Sequence, residues 1–391
     1  MTCRLFTFVS NPLKVYGIFN SQLLHTSLLE YIVNLNCLLF ILRGTYCRRN
    51  AKTIFVTEMN EANMTSREGS CDKDESFITN RLPSKNVLIK GKDFEFAIGK
   101  MISRGRFGAV YEVLRRTDGK RFAAKLEMCE SHFHGINMDY TILQQALKVG
   151  CKYIVELVDR GKIENHFKFI VMKMLGDNLQ KLRHSFIERH FSLSTALRLG
   201  IHTLAALEEL HKMGFVHRDV KASNFTISDT SESTVKVYII DFGLCRLYRS
   251  PTNGIKPPRQ KTSFRGSARY ASLAAHREEE LSPKDDLESW FYMLIEMISG
   301  ELPWSDFPRT DRIQVQQKKE ESRASEALKI LLKDCPKVEF RRMLAYIDSL
   351  TYYSQPDHGF LTKLLKLAMK KYSIKADEPY DWDDELQASL T

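Results

Sequence analysis

His217-Arg218-Asp219-Val220-Lys221-Ala222-Ser223-Asn224, followed at hairpin distance by Asp241-Phe242-Gly243, is the stretch on which the reading of this chain turns. Between the two segments, Phe225-Thr226-Ile227 and Val237-Tyr238-Ile239-Ile240 are apolar and rich in β-branched residues, and a polar run separates them. The pattern predicts a hairpin with acidic and amide side chains at both ends. Chemistry on a nucleotide phosphate needs one carboxylate beside the attacking hydroxyl and two oxygen ligands for Mg²⁺. Asp219 is the candidate for the first, and Asn224 with Asp241 for the second. Asp-Phe-Gly alone is common. The spacing of all three groups carries the signal.

Asp219 to Asn224 has the H-R-D-x-x-x-x-N spacing of a protein-kinase catalytic loop. Lys221, two residues after Asp219, is the serine/threonine form of that loop and can neutralise a transferring phosphoryl group. His217 is expected to pack rather than titrate, and Arg218 to meet an anion. Downstream, Phe242 to His276 contains no Asp or Glu but holds Arg246, Arg249, Lys256, Arg259, Lys261, Arg265 and Arg269. An acid-free basic segment beside such a loop is expected to hold anions, with Arg265 and Arg269 as candidate readers of acidic substrates. Ser267 stands where a hydroxyl would bridge Asp219 and Lys221.

Upstream, Ile102-Ser103-Arg104-Gly105-Arg106-Phe107-Gly108-Ala109-Val110-Tyr111 predicts a glycine-containing hairpin whose backbone N–H groups approach phosphate. Ser103 occupies the first of the three usual glycine positions. Phe122-Ala123-Ala124-Lys125-Leu126 follows as a strand whose one lysine matches V-A-I-K. A helix is predicted over Met138–Lys148 with Ile142, Leu143 and Ala146 buried. Asp139 stands on it where a glutamate would pair with Lys125. Phe167–Met172 reads as a strand and Lys173–Gly176 as a hinge, so Met172, Met174 and Leu175 border an adenine pocket together with Ile102, Ser103, Gly105, Phe107, Gly108, Val110 and Ala123. Leu179–Phe186 and Leu193–Lys212 read as helices, the second capped by Ser192 or Ser194. A dinucleotide-binding unit is excluded, because no acidic residue follows the glycine loop within a parallel β-α-β pattern.

The 391 residues carry a formal charge of +10, which favours acidic or phosphorylated partners. No basic block with interleaved aromatics points to nucleic acid. The eight cysteines are scattered without a C-x-x-C pair, which argues against a disulfide framework or zinc site and for a cytoplasmic or nuclear setting. Residues 1–91 read as an extension of no catalytic role, apolar from Leu5 to Leu42 and a polar linker over 57–84. Its densest apolar run, Leu28–Leu42, is interrupted by Glu30, Asn34 and Asn36 and is short for a membrane span, so membrane association is the minor reading. Order is expected from near Phe94, and residues 386–391 form a short tail.

Arg269-Tyr270-Ala271-Ser272-Leu273-Ala274-Ala275-His276, in place of Ala-Pro-Glu, makes the resemblance specific. With His217–Phe225, Asp285–Leu294, Gly300-Glu301-Leu302-Pro303-Trp304 and Pro379-Tyr380-Asp381-Trp382, the chain resembles the casein kinase 1 superfamily, most closely its tau-tubulin kinase-like branch. The resemblance covers residues 92–385. It implies an α+β bilobal fold, with a small β-rich lobe and one main helix over 92–175 and a larger helical lobe over 176–385. It also implies ATP with Mg²⁺ and transfer to Ser or Thr of protein substrates, sometimes guided by acidic or already phosphorylated residues; a monomer is expected. Lys125 would contact the ATP phosphates, Asp219 would be the base, Asn224 and Asp241 would hold the metal, and Asp286 would begin a buried helix and cap the catalytic loop. Ser103, Asp139 and Ala274 depart from the family pattern, and the first two motivate the alternative of a pseudokinase scaffold. The region Phe307–Tyr372 is expected to be helical, with Lys318-Lys319 and Arg341-Arg342 on exposed faces.

Overall fold

The computed structural model describes residues 82–383 apart from 106, 130–134, 230–234, 251, 253 and 309. The expectations for residues 1–81 and for the tail lie outside the described residues. Strands alternating apolar and polar residues build the first lobe. β1 (Leu88–Lys90), β2 (Glu95–Gly105), β3 (Gly108–Arg115), β4 (Arg121–Met128), β5 (Leu157–Ile163) and β6 (Phe167–Lys173) form an antiparallel sheet in the order β1-β2-β3-β4-β6-β5. Ala109, Tyr111 and Val113 alternate inward from β3 and pack with Phe96, Leu126 and Val171. β1 lies ahead of Phe94, where order was expected to begin. It pairs Ile89 with Phe96, and so short a strand leaves no readable alternation.

Helix α1 (Gly135–Val149) buries Ile142, Leu143 and Ala146, as its period predicts. It starts before the expected Met138 because the Glu127 carboxylate on β4 accepts the Ile136 N–H at 3.0 Å. The second lobe follows with α2 (Leu179–Ser185), α3 (Leu193–Lys212), α4 (Leu273–His276), α5 (Pro283–Ser299), α6 (Arg312–Glu321), α7 (Ser325–Leu331), α8 (Lys337–Asp348) and α9 (His358–Lys371). Short strand pairs lie among them: β7 (Phe215–Val216) with β10 (Arg246–Leu247), and β11 (Arg249–Ser250) with β12 (Gly254–Ile255). The predicted hairpin forms as β8 (Phe225–Ile227) with β9 (Val237–Ile239).

Helix α5 is the axis of this lobe, buried at every position from Asp285 to Ile298. Its apolar residues, including Trp290, Phe291 and Leu294, belong to the same core as Leu204 and Leu207 of α3. Its carboxylates are buried as well, and each has partners, as burial of charge demands. Glu288 meets Arg323 at 2.8 Å and the Tyr292 hydroxyl at 2.7 Å. The helix starts at Pro283 rather than at Asp286, and the Ser282 N–H donates to Asp285 at 2.8 Å.

Ser192, not Ser194, caps α3, accepting from the Thr195 N–H at 3.1 Å. The Asp381 carboxylate closes over the same end, accepting from Ser192 N at 2.7 Å, Ser192 Oγ at 2.6 Å and Thr195 Oγ1 at 2.8 Å. Trp382 meets Phe191 edge-on at 5.8 Å, and Tyr380 stacks on Trp382 at 4.7 Å. The tail motif is therefore a cap delivered from the far end of the domain. Asp381→Ala should lower stability by about 1–2 kcal/mol in thermal unfolding. An unchanged midpoint would show that Ser192 alone holds this helix end.

Lys319 corrects the expectation of an exposed basic pair. It is fully buried, donating to Ala268 O at 2.8 Å and Ala271 O at 2.6 Å, with His276 Nε2 at 3.2 Å. Its ammonium also lies over the rings of Tyr292 and Trp304, at 5.0 and 5.3 Å. Lys318 stays half-exposed and Arg341 and Arg342 are exposed, so only one of the four changes face.

Candidate active site

Between the sheet and the helical lobe lies a cleft of about 660 Å³. Ile102, Ser103, Gly105, Phe107, Gly108 and Val110 line it from the β2–β3 hairpin. Ala123 and Lys125 line it from β4, and Met172, Met174 and Leu175 from the hinge. Asn224 and Asp241 enter from the second lobe. Gly108 has a different reason from the one expected. A Cβ there would lie 1.8 Å from Leu126 O, so close strand packing already demands glycine. Gly105 meets nothing nearer than 3.8 Å and is the position left with room toward the cleft.

Lys125 is the centre of the cleft's charge. β4 fixes its register opposite Val110 and Ile170. Its Nζ lies 2.7 Å from Asp139 Oδ2 and 2.7 Å from Asp241 Oδ1. Asp139 is buried, and its other oxygen accepts the Phe242 N–H at 2.7 Å. The shorter aspartate thus reaches Lys125 and ties α1 to the Asp-Phe-Gly segment. Burial opposes the Lys125 charge, but the two carboxylates override it and raise the pKa. The same lysine holds the Asp241 carboxyl down, to about 2, so Asp241 is ionised through the neutral range.

A second cluster sits on the catalytic loop. Asp219 Oδ1 accepts from Ser267 Oγ at 2.8 Å, and Oδ2 from Lys221 Nζ at 2.6 Å. Lys221 Nζ also reaches Ser267 Oγ at 3.3 Å, closing the triangle expected from the spacing. Asn224 Nδ2 donates to Asp219 O at 2.9 Å, which fixes the amide and turns Oδ1 to the remaining valence. His217 is fully buried against Phe242, in keeping with a packing role. Asp286 accepts the His217 and Arg218 N–H groups at 2.6 and 2.8 Å, and His211 Nε2 lies 2.9 Å from it. Arg218 and Asp241 both have positive φ, 67° and 64°, and at Arg218 the bond to Asp286 holds that strained backbone in place.

Asn224 and Asp241 offer two side-chain oxygens that would suit Mg²⁺, an ion that takes few protein ligands and fills its shell with phosphate and water. Among the described residues no cluster of three or more His, Cys, Asp or Glu could hold a metal alone.

The basic segment is partly neutralised from within. Arg246 lies 3.1 Å from Glu280, Arg259 also pairs with Glu280, and Arg269 pairs with Glu296 at 2.7 Å. Three of the seven cations are thus held by the protein's own buried glutamates, Arg269 among them. Lys261 and Arg265 are exposed, and neither is in an ion pair among the described residues. Arg218 lies beside Arg259 and Arg265, its guanidinium donating to Leu244 O at 2.7 Å, and burial with these neighbours lowers its pKa to about 10. Glu280, Glu288 and Glu296 were not singled out from the sequence. For Glu288 and Glu296 a glutamate within an apolar helical run was the one signal, and Glu280, in the charged stretch between two helices, had none.

A protein kinase domain profile matches residues 96–371. A probable serine/threonine-protein kinase of Dictyostelium discoideum is 32% identical over 296 residues, 76% of this chain and 57% of that protein. The chain therefore spans little more than half the length of that relative. The serine/threonine-protein kinase spe-6 of Caenorhabditis elegans is 32% identical over 307 residues, 78% of this chain and 80% of that protein. A putative serine/threonine-protein kinase of the same organism is 33% identical over 272 residues, covering 68% and 79%. With the two-lobed fold and the cleft between them, these matches establish that the chain belongs to the serine/threonine protein kinase family.

Proposed function

We propose that the chain is an active kinase that transfers the γ-phosphate of ATP to Ser and Thr hydroxyls of proteins. The triangle of Asp219, Lys221 and Ser267 is the observation that carries this reading. Asp219 orients the incoming hydroxyl and takes its proton, and Lys221 offsets charge on the phosphoryl group. Lys125 holds the nucleotide phosphates, positioned by Asp139. Asn224 Oδ1 and Asp241 would hold Mg²⁺, which when bound neutralises charge on the phosphate oxygens. The Lys173 and Gly176 N–H groups bond to Glu156 O and Ile227 O, which supports Met174 and Leu175 as the residues that would meet the adenine edge. The departures at Ser103 and Asp139 favour a pseudokinase; the Lys125–Asp139 pair at 2.7 Å supports the active reading at the second of them. Asp241→Ala should abolish Mg²⁺-dependent transfer while ATP-independent folding is kept. Retention of transfer by that variant would refute the assignment.

The motifs at 217–225, 269–276 and 379–382 support placement in the casein kinase 1 superfamily, near its tau-tubulin kinase-like branch. Preference for acidic or primed substrates rests on Lys261 and Arg265 beside the Arg218 cluster. Arg265→Ala should lower kcat/KM on acidic peptides about tenfold and leave neutral peptides unaltered. Equal loss on both would place Arg265 in the fold instead. Among the described residues no helix is long and apolar enough to cross a membrane. Cys129, Cys151, Cys245 and Cys335 are free thiols, which supports a cytoplasmic or nuclear setting.

A further inference from the structure

We propose that Lys319 is a positioning residue for phosphate transfer: from the buried face of α6 it holds the turn that places Ser267 against Asp219, an inference that rests on the kinase reading above. Ser267 Oγ meets Asp219 Oδ1 at 2.8 Å and Lys221 Nζ at 3.3 Å. A hydroxyl carried on a loop keeps such a position only when the loop is fixed on both sides of it.

On the N-terminal side the catalytic loop itself provides the stop. Gly266 has a φ of +92°, and a Cβ there would lie 2.4 Å from Arg218 O, so glycine lets the two backbones touch. On the C-terminal side, Ser267 O accepts the N–H groups of Tyr270 at 3.0 Å and Ala271 at 2.9 Å, closing a tight turn over residues 267–271. Three carbonyls of that turn receive side-chain donors from elsewhere in the lobe. Trp304 Nε1 donates to Arg269 O at 2.7 Å. Lys319 Nζ donates to the other two, Ala268 O at 2.8 Å and Ala271 O at 2.6 Å. Glu296 holds the side chains of Arg269 and Tyr270, whereas Lys319 holds the backbone next to Ser267.

Burying a lysine here is unfavourable unless its donors are used. The buried side chains of α6 are Val315 and Lys319, one helical turn apart, so the second position suits an apolar residue by its place alone. Lys319 is fully buried and in no ion pair among the described residues. Glu288, the carboxylate whose field it feels, is engaged by Arg323 at 2.8 Å and by the Tyr292 hydroxyl at 2.7 Å. Burial therefore drives the Lys319 pKa well below that of a solvated lysine. Burial and the neighbouring Lys319 push that of His276 down to about 4, so its imidazole is neutral. As an ammonium, Lys319 donates to both carbonyls and to His276 Nε2; as an amine, it donates to both carbonyls and accepts from His276 Nε2–H. Both carbonyls are served in either state, so the donors and not the charge account for a lysine at this position.

The test is a double-mutant cycle on the full chain, with kcat and KM measured on a Ser/Thr peptide below the unfolding midpoint of each variant. Lys319→Met, similar in length but without donors, should lower kcat about tenfold and leave the KM for ATP unchanged. In a Ser267→Ala background the same substitution should lower kcat by less than about twofold, because the hydroxyl it positions is gone. A purely structural role would reduce the active fraction equally in both backgrounds. Losses that multiply would therefore overturn the proposal, and so would an unchanged kcat in Lys319→Met. Lys319→Gln, which keeps an NH₂ on a shorter stem, should fall between wild type and Lys319→Met, and it takes the same place in the cycle if Lys319→Met does not fold. No transfer by the wild-type chain would overturn the kinase reading itself, and this inference with it.

Discussion

Asp219→Asn should lower kcat for phosphate transfer by about 10²–10⁴-fold, with the KM for ATP nearly unchanged. The carboxylate receives two donors, Ser267 Oγ at 2.8 Å and Lys221 Nζ at 2.6 Å, one on each oxygen. An asparagine of the same shape offers one acceptor and turns an NH₂ toward the other donor, so one of the two bonds is lost. It also cannot take up a proton from the attacking hydroxyl. The loop should survive the change, because its backbone is held by Asp286 and by Asn224, not by the Asp219 side chain. Steady-state kinetics together with the unfolding midpoint check this. A matched loss of stability would mean that Asp219 acts through the fold. Ser267→Ala should cost less, since it removes one donor and keeps the carboxylate.

Glu296→Ala should destabilise the protein by about 3–5 kcal/mol, a large part of the roughly 5–15 kcal/mol available to a folded domain. Glu296 is fully buried in α5 and gathers Arg269 at 2.7 Å, Arg183 at 3.2 Å and the Tyr270 hydroxyl at 2.5 Å. Removing the carboxylate leaves the Arg183 guanidinium buried without a counter-charge, beside the carbonyls of Arg189 and Gly300 at 2.8 and 2.9 Å and His184 Nε2 at 3.2 Å. Arg269 would keep Ser305 O at 3.2 Å. The segment that carries Ser267 hangs from this network, so activity should fall as well. Urea unfolding measures the effect. A change below about 1 kcal/mol would show that Lys319 and Trp304 hold the segment without Glu296.

The catalytic residues were legible because their chemistry fixes both their identity and their spacing along the chain. Asp219, Asn224 and Lys221 lie within one loop, and a hairpin of readable alternation brings Asp241 to them. The Lys125–Asp139 pair was legible as a position but not as a contact, since reach depends on where α1 sits. That position is set in part by Glu127, whose role appears only when β4 and α1 meet. Charge on the basic segment was only partly legible for a related reason. Glu280 and Glu296, the partners of Arg246, Arg259 and Arg269, lie beyond the acid-free stretch and are brought back by tertiary packing. Lys319 failed in the same way: four methylenes and an ammonium read as solvated until Ala268, Ala271 and two aromatic rings are seen around it. The short strand β1 had too few residues to show a period.

The central claim is that an intact site transfers phosphate to aliphatic hydroxyls. The most direct measurement incubates the full chain with Mg²⁺ and γ-labelled ATP on a protein substrate that offers Ser, Thr and Tyr, followed by phosphoamino-acid analysis, with Asp241→Ala alongside. The account predicts phosphoserine and phosphothreonine, no phosphotyrosine, and no label with the variant. Label no greater than that of Asp241→Ala, or label on tyrosine, would contradict it.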